Sequence, residues 1–138
     1  MTKLTTAIAT SFFLFILWII YLANSGSDSL FFDFVRSIPY GDKIGHFFLF
    51  GTLTLTVVVA TRFRSFTVGW LNIYYGGALV ALFVLGEEIS QVFIPFRTFD
   101  LADLTADSFG ILVAIGVAYL IRKYSVKISD KSAENSSV

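Results

Sequence analysis

Side chains capable of acid–base or binding chemistry gather near three points of this 138-residue chain. At the first point, Asp42 and His46 are four residues apart and therefore share one face of a helix. At the second, Glu88 and Gln91 are three residues apart, so they also project together. Histidine and glutamate are frequent general acids and bases in enzymes. We therefore identify His46 and Glu88 as candidate catalytic residues.

The third point contains one arginine and a series of aspartates. Arg97 is the only basic residue in segment 86–107, and its guanidinium suits a phosphate or carboxylate group. Asp100, Asp103 and Asp107 follow along one helical stripe, which is costly at a membrane boundary unless the acids are paired or hydrated. The predicted ligand-binding set combines all three points: Asp42, Lys43, Gln91, Arg97, Asp103 and Asp107.

A structural role for these residues remains an open alternative. Asp42 stands at a position favoured by helix N-caps, and Lys43 can extend its ammonium to the membrane surface. His46 can hydrogen-bond to a neighbouring helix. Arg97 can pair with an aspartate and so lock its turn to the following helix. Glu87 is expected to point elsewhere, toward headgroups or a basic partner.

The sequence does not favour a metal site. Nitrogen and oxygen ligands are available from His46, Glu88, Asp103 and Asp107. However, the chain has one histidine, no cysteine and no HExxH motif, which argues against zinc chemistry. We therefore predict no metal and no other cofactor.

The composition indicates a protein embedded in lipid. Hydrophobic residues make up 56% of the chain and charged residues 14%, against about 25% charged in ordinary soluble domains. Ten acidic and ten basic residues leave no basic excess for nucleic-acid binding. Four apolar stretches are long enough to cross a bilayer, at about 4–23, 44–61, 68–86 and 104–121. They lack the polar face that a soluble helical bundle requires.

The predicted fold class is therefore an all-α polytopic membrane protein with four transmembrane helices. Residues 1–126 form one domain, with short interfacial segments on the outer side at 29–38 and 92–99. Residues 127–138 are polar and rich in serine, which predicts a disordered cytoplasmic tail.

The distribution of lysine and arginine predicts the orientation in the cell (inner) membrane. One side carries seven basic residues: Lys3, Arg62, Arg64, Arg122, Lys123, Lys127 and Lys131. The other side carries three: Arg36, Lys43 and Arg97. Because cytoplasmic loops are enriched in basic residues, both termini are expected in the cytoplasm and the polar constellation on the outer side.

The polar motifs resemble those of the VanZ-like family of small membrane proteins. The matching blocks are Asp42-Lys43-x-x-His46-Phe47, Glu88-x-x-Gln91-x-Phe93-x-Pro95-x-Arg97 and Asp103-x-x-x-Asp107-x-x-Gly110. Their order and spacing match over roughly residues 40–117. The resemblance implies a multi-pass bacterial or archaeal membrane protein, from a family whose namesake is associated with low-level teicoplanin resistance. One departure is Asp107, which stands where many relatives carry asparagine.

Two functions remain from this pattern. The first is an outward-facing site that handles a cell-envelope amphiphile or lipid-linked ligand, with membrane lipids as partners. The second is a non-enzymatic scaffold or resistance factor whose polar residues form an interhelical network. Ion transport is less favoured because the polar residues lie almost entirely in the outer half. The sequence does not indicate an oligomeric state.

Overall fold

The computed structural model describes residues 2–26, 30–95 and 97–135 of the chain. Within these residues it contains five helices and one β-hairpin. In chain order the elements are α1 (Thr2–Asn24), α2 (Leu30–Ser37), α3 (Gly41–Ala60), β1 (Ser65–Val68), β2 (Leu71–Tyr74), α4 (Tyr75–Gln91) and α5 (Leu101–Asn135).

Three of the helices are long and apolar enough to cross a membrane: α1, α3 and the Leu101–Lys127 part of α5. Their apolar residues are mostly on the outside, since only 11% of the hydrophobic window of α1 is buried within the protein and 28% of those of α3 and α5. A soluble bundle would bury these faces. The mainly helical class is thus confirmed, and three helices have the length and apolar composition that a membrane span requires.

The predicted third helix was wrong at its start. We expected it over 68–86, but residues 65–74 form an antiparallel hairpin and α4 runs over Tyr75–Gln91. The hairpin turns at Gly69, whose φ of +61° is a conformation that glycine adopts without strain. Phe66, Val68 and Ile73 are good strand formers. Because residues 65–74 include no charged side chain, the sequence does not separate the hairpin from the apolar helix that follows it.

The helices alternate in direction around α3. In α4, Gly76 lies beside Val58 near the end of α3, and Val84 packs with Phe50 nearer its start, so α4 is antiparallel to α3. In α5, Gly110 lies beside Gly51 and Ala118 packs with Val58. The contacting pairs rise in residue number along both helices, from Gly51 with Gly110 to Val58 with Ala118, so α5 is parallel to α3.

Glycines allow the closest of these approaches. Gly110 admits a neighbouring helix at close range, because a Cβ at this position would meet the Phe47 carbonyl oxygen. Gly51 faces it from α3, where a Cβ would lie 3.1 Å from the Gly110 oxygen. The main chains of α3 and α5 are therefore in direct contact, next to the polar residues at 43–46 and 103–107.

Helix α5 begins earlier than the predicted residue 104. The Asp100 carboxylate accepts a hydrogen bond from the Ala102 amide at 2.8 Å, which satisfies a free N–H at the start of the helix. The helix then continues to Asn135, beyond residue 127, where the sequence indicated a disordered tail. Residues 136–138 of that tail lie outside the described residues, as does Ser29 of the predicted 29–38 segment. The rest of that segment contains α2.

Candidate functional site

Lys43 lies at the centre of a cluster of three carboxylates. Its Nζ donates hydrogen bonds to Asp42 Oδ2 at 2.9 Å, Asp100 Oδ2 at 2.8 Å and Asp103 Oδ1 at 2.9 Å. The contact with the ammonium holds the pKa of Asp100, which precedes α5, below its ordinary value. Lys43 therefore ties the start of α3 to the start of α5. In the alternative left open above, Arg97 pairs with an aspartate; the structure instead pairs Lys43 with the aspartates and Arg97 with Glu87.

Asp42 does not cap α3. The N-cap position is Tyr40, in the left-handed conformation at φ 58°, and it makes no side-chain capping bond. Gly41 follows where a Cβ would meet the Val35 carbonyl oxygen of α2. Helix α2 therefore closely approaches the first residue of α3, and the Asp42 carboxylate accepts a hydrogen bond from Lys43 and does not cap the helix.

His46 and Asp107 pair deeper in the bundle. The His46 Nδ1 atom lies 3.1 Å and 3.2 Å from the two carboxylate oxygens of Asp107. Asp107 is fully buried, whereas 18% of the His46 side chain is exposed. This pair is one turn further from the helix ends than the Lys43 cluster, beside the close contact at Gly51 and Gly110.

Gln91 connects the two glutamates at the end of α4. Its Nε2 donates to Glu87 Oε2 at 2.9 Å and to Glu88 Oε1 at 3.2 Å. Glu87 therefore does not point away from this group, although it does have the expected basic partner: Arg97 Nη2 is 3.6 Å from Glu87 Oε1. Glu88 is fully buried, and its Oε2 has no hydrogen-bond partner.

A cavity of about 520 Å³ opens between these groups and α1. One part of its wall is apolar and comes mainly from α1 and α3, including Ile16, Ile20, Leu49 and Phe50. The other part is polar, with Asp42, His46, Glu87, Gln91, Arg97, Asp100 and Asp103. The arrangement can accommodate a molecule that has both an apolar and a polar portion.

The structure brings all eight predicted site residues to one end of the bundle. Five of them line the cavity: Asp42, His46, Gln91, Arg97 and Asp103. The other three do not line the cavity but bond to residues that do. Lys43 bonds to Asp103, Asp107 to His46, and Glu88 to Gln91.

The sequence interpretation did not assign Glu87, Asp100 or the apolar wall from α1 to the site. The spacing of Glu87 and Gln91, at i and i+4, was a usable signal for the first of these. Asp100 pairs with a lysine 57 residues away, which no local pattern indicates. The residues of α1 at the cavity, such as Ile16, are indistinguishable in sequence from its lipid-facing residues.

Comparison with protein families identifies the chain. The sequence model of the VanZ/LLP1 family matches residues 3–122. The chain belongs to the VanZ/LLP1 family. The match includes α1 and so extends beyond residues 40–117, where the motif resemblance lies. In this VanZ/LLP1 protein the motif blocks supply all eight predicted site residues and the glycine at the α3–α5 contact.

A curated relative comes from a yeast. It is the protein of Schizosaccharomyces pombe described as uncharacterized protein C11E3.10, which is 34% identical over 86 residues. The aligned part covers 62% of this chain and 51% of the relative, so the chain spans about half of that protein's length. A eukaryotic relative means that the bacterial or archaeal origin implied by the resemblance does not extend to every similar protein. No solved structure matches the VanZ/LLP1 chain.

Proposed function

We propose that the protein crosses the cell membrane four times, with both termini in the cytoplasm. Helix α4 has 17 residues, which at about 1.5 Å per residue is the lower limit for a span. It runs along α3 from Val58 back toward the level of His46 and so returns the chain across the same depth. Leu79 and Leu82 are more than half exposed on its outer face, as expected for contact with lipid. The basic loop residues Arg62 and Arg64 support a cytoplasmic hairpin.

Cysteine labelling tests this topology, because the chain has no cysteine of its own. Trp70 at the hairpin and Phe93 after α4 are 91% and 81% exposed. We expect Phe93→Cys to react with a membrane-impermeant maleimide in intact cells, and Trp70→Cys to react only after the membrane is opened. Equal labelling of both positions in intact cells would contradict a fourth span.

The function that the geometry supports best is binding of a membrane amphiphile in the cavity. The observation that carries this proposal is the division of the cavity wall into an apolar part and a polar part. Ligand cavities of this volume are mostly apolar with a few polar groups that orient the ligand. An acyl chain would lie against Ile16, Ile20 and Leu49, and the headgroup against the carboxylates and Arg97.

The charges of the polar wall favour a zwitterionic headgroup. Asp42, Glu87, Asp100 and Asp103 still outnumber Arg97 and the adjacent Lys43, so the wall is negative overall. A purely anionic headgroup would meet this excess of carboxylates and find only Arg97 to bind. A headgroup with an ammonium and a phosphate would complement both kinds of charge in the wall, with the ammonium at the carboxylates and the phosphate at Arg97. The amphiphile class we propose is therefore an aminophospholipid or a lipid-linked amine.

Native mass spectrometry of the purified protein tests this proposal. We expect one phosphatidylethanolamine to be retained per chain, in preference to phosphatidylglycerol. Leu49→Trp would fill the apolar part of the cavity and lower this retention about tenfold, which corresponds to a loss of about 1.4 kcal/mol.

The matched control is Leu79→Trp, which adds the same bulk on the exposed face of α4. This variant should retain phosphatidylethanolamine as the unmodified protein does. Equal retention by the two tryptophan variants, or a preference for phosphatidylglycerol, would refute the proposed ligand class.

A second candidate function is that of a non-enzymatic scaffold. The observation in its favour is that the polar residues bond mainly to one another, as Lys43 does with three aspartates. Interhelical polar networks can fix the packing of membrane helices. Under this alternative, neutralising Arg97 by Arg97→Gln would lower the stability of the fold and leave lipid retention unchanged. Under the binding proposal it lowers retention while the protein stays folded.

A further inference from the structure

Three potential metal ligands converge behind the cavity wall. They are His46 of α3, Glu88 of α4 and Asp107 of α5, and one nitrogen or oxygen atom from each lies within 4.8 Å of the other two. Glu88 and Asp107 are fully buried, and His46 also lines the cavity. Each residue comes from a different helix, so their convergence is a property of the tertiary structure.

Only one of the two carboxylate oxygens of Glu88 has a hydrogen-bond partner. Its Oε1 accepts the Gln91 amide, but its Oε2 is buried and has no hydrogen-bond partner. Such an atom costs free energy unless something compensates for it. Among the described residues, no lysine or arginine lies within ion-pair distance of Glu88 or Asp107. The two basic residues of the site have other partners: Lys43 bonds to three aspartates, and Arg97 pairs with Glu87.

The distances fit shared coordination of one ion. Two donors about 2.1 Å from a tetrahedral zinc ion are about 3.4 Å apart, and His46 Nδ1 is 3.1 and 3.2 Å from the Asp107 oxygens. One ligand atom of Glu88 also lies within 4.8 Å of those of His46 and Asp107, close enough for all three side chains to reach one ion by side-chain adjustment. Two carboxylates also carry the charge that neutralises a divalent cation.

We propose that His46, Glu88 and Asp107 bind a divalent transition-metal ion. An imidazole nitrogen combined with carboxylate oxygens suits zinc, iron or manganese rather than magnesium or calcium, which prefer oxygen ligands alone. Three protein ligands leave at least one coordination position, as in metal sites that act on a ligand. Because His46 lines the cavity, that position is reachable from it.

The metal proposal is independent of what occupies the cavity, so it can be tested on the full chain without any amphiphile. The protein is purified in detergent, treated with EDTA, freed of chelator and titrated with Zn²⁺ alone by calorimetry, and with Co²⁺ by visible absorption. We expect one Zn²⁺ per chain. Glu88→Gln keeps the size of the side chain and an acceptor for Gln91, and should weaken Zn²⁺ binding by about tenfold or more, with loss of the Co²⁺ bands.

Glu87→Gln is the charge-matched comparison, since it removes the same charge from the adjacent residue. It should retain the Co²⁺ bands and most of the Zn²⁺ affinity. His46→Gln provides a second ligand variant should Glu88→Gln not elute as a folded protein. The proposal is overturned by absence of stoichiometric Zn²⁺ binding in the unmodified chain, or by equal losses in Glu87→Gln and Glu88→Gln.

Discussion

Replacing Gly110 by alanine is expected to destabilise the protein by about 1–3 kcal/mol, the usual cost of forcing extra atoms into a packed interface. The added methyl group would meet the Phe47 carbonyl oxygen, and the neighbouring Gly51 nitrogen lies 3.2 Å from the same position. Both obstacles are main-chain atoms of α3, so a side-chain rotation cannot relieve the clash. The helices must separate, which also pulls Asp107 away from His46.

Gly116→Ala provides the control on the same helix. A Cβ at Gly116 meets no atom within 4 Å, and alanine favours a helix over glycine by up to about 1 kcal/mol. Unfolding in increasing SDS, followed by circular dichroism, measures both variants. We expect Gly110→Ala to unfold at lower SDS and Gly116→Ala to be unchanged or more stable. Equal stability of the two variants would show that α3 and α5 are not in main-chain contact.

Replacing Lys43 by methionine is expected to have the second large effect. The substitution keeps most of the side-chain length but leaves Asp42, Asp100 and Asp103 without their shared ammonium. Asp42 and Asp100 are 56% and 42% exposed and can turn to water, whereas Asp103 is 13% exposed. A hydrogen bond to a charged group contributes about 1.5–3 kcal/mol. We therefore expect a loss of about 2 kcal/mol, mostly from Asp103.

A second substitution distinguishes this cause from general damage. Lys43→Met combined with Asp103→Asn should recover part of the lost stability, because the buried side chain at position 103 is then neutral. Lys123→Met, at an exposed position of α5, serves as the control and should be close to neutral. The same SDS titration reports all three. Failure of Asp103→Asn to recover any stability would mean that Lys43 contributes through something other than this ion cluster.

The membrane class was predictable because it depends on quantities that the sequence contains directly. The lengths of apolar stretches and the scarcity of charge identify α1, α3 and α5 as helices that can cross a membrane. The hairpin at 65–74 was not predictable from these quantities. A strand pair and a buried helix both appear in the sequence as uncharged, mainly apolar residues, and Gly69 alone does not distinguish a turn from a glycine within a helix.

The site was predictable by residue type but not by pairing. Motif spacing identified His46, Glu88 and Asp103 as polar residues near helix ends. Their partners depend on how the helices rotate against one another, which glycine contacts such as Gly51 with Gly110 determine. This is why Lys43, and not Arg97, pairs with the aspartates.

The long sequence separation within the Lys43 cluster has a consequence for synthesis. Lys43 and Asp103 are 60 residues apart, and ribosomes add about 5–20 residues per second. Helix α3 therefore exists for several seconds before α5 is made, with Lys43 lacking Asp100 and Asp103 and with His46 lacking Asp107. During that interval the end of α3 that carries them is best accommodated at the bilayer surface. Assembly of the polar cluster is then the step that draws the last helix into place.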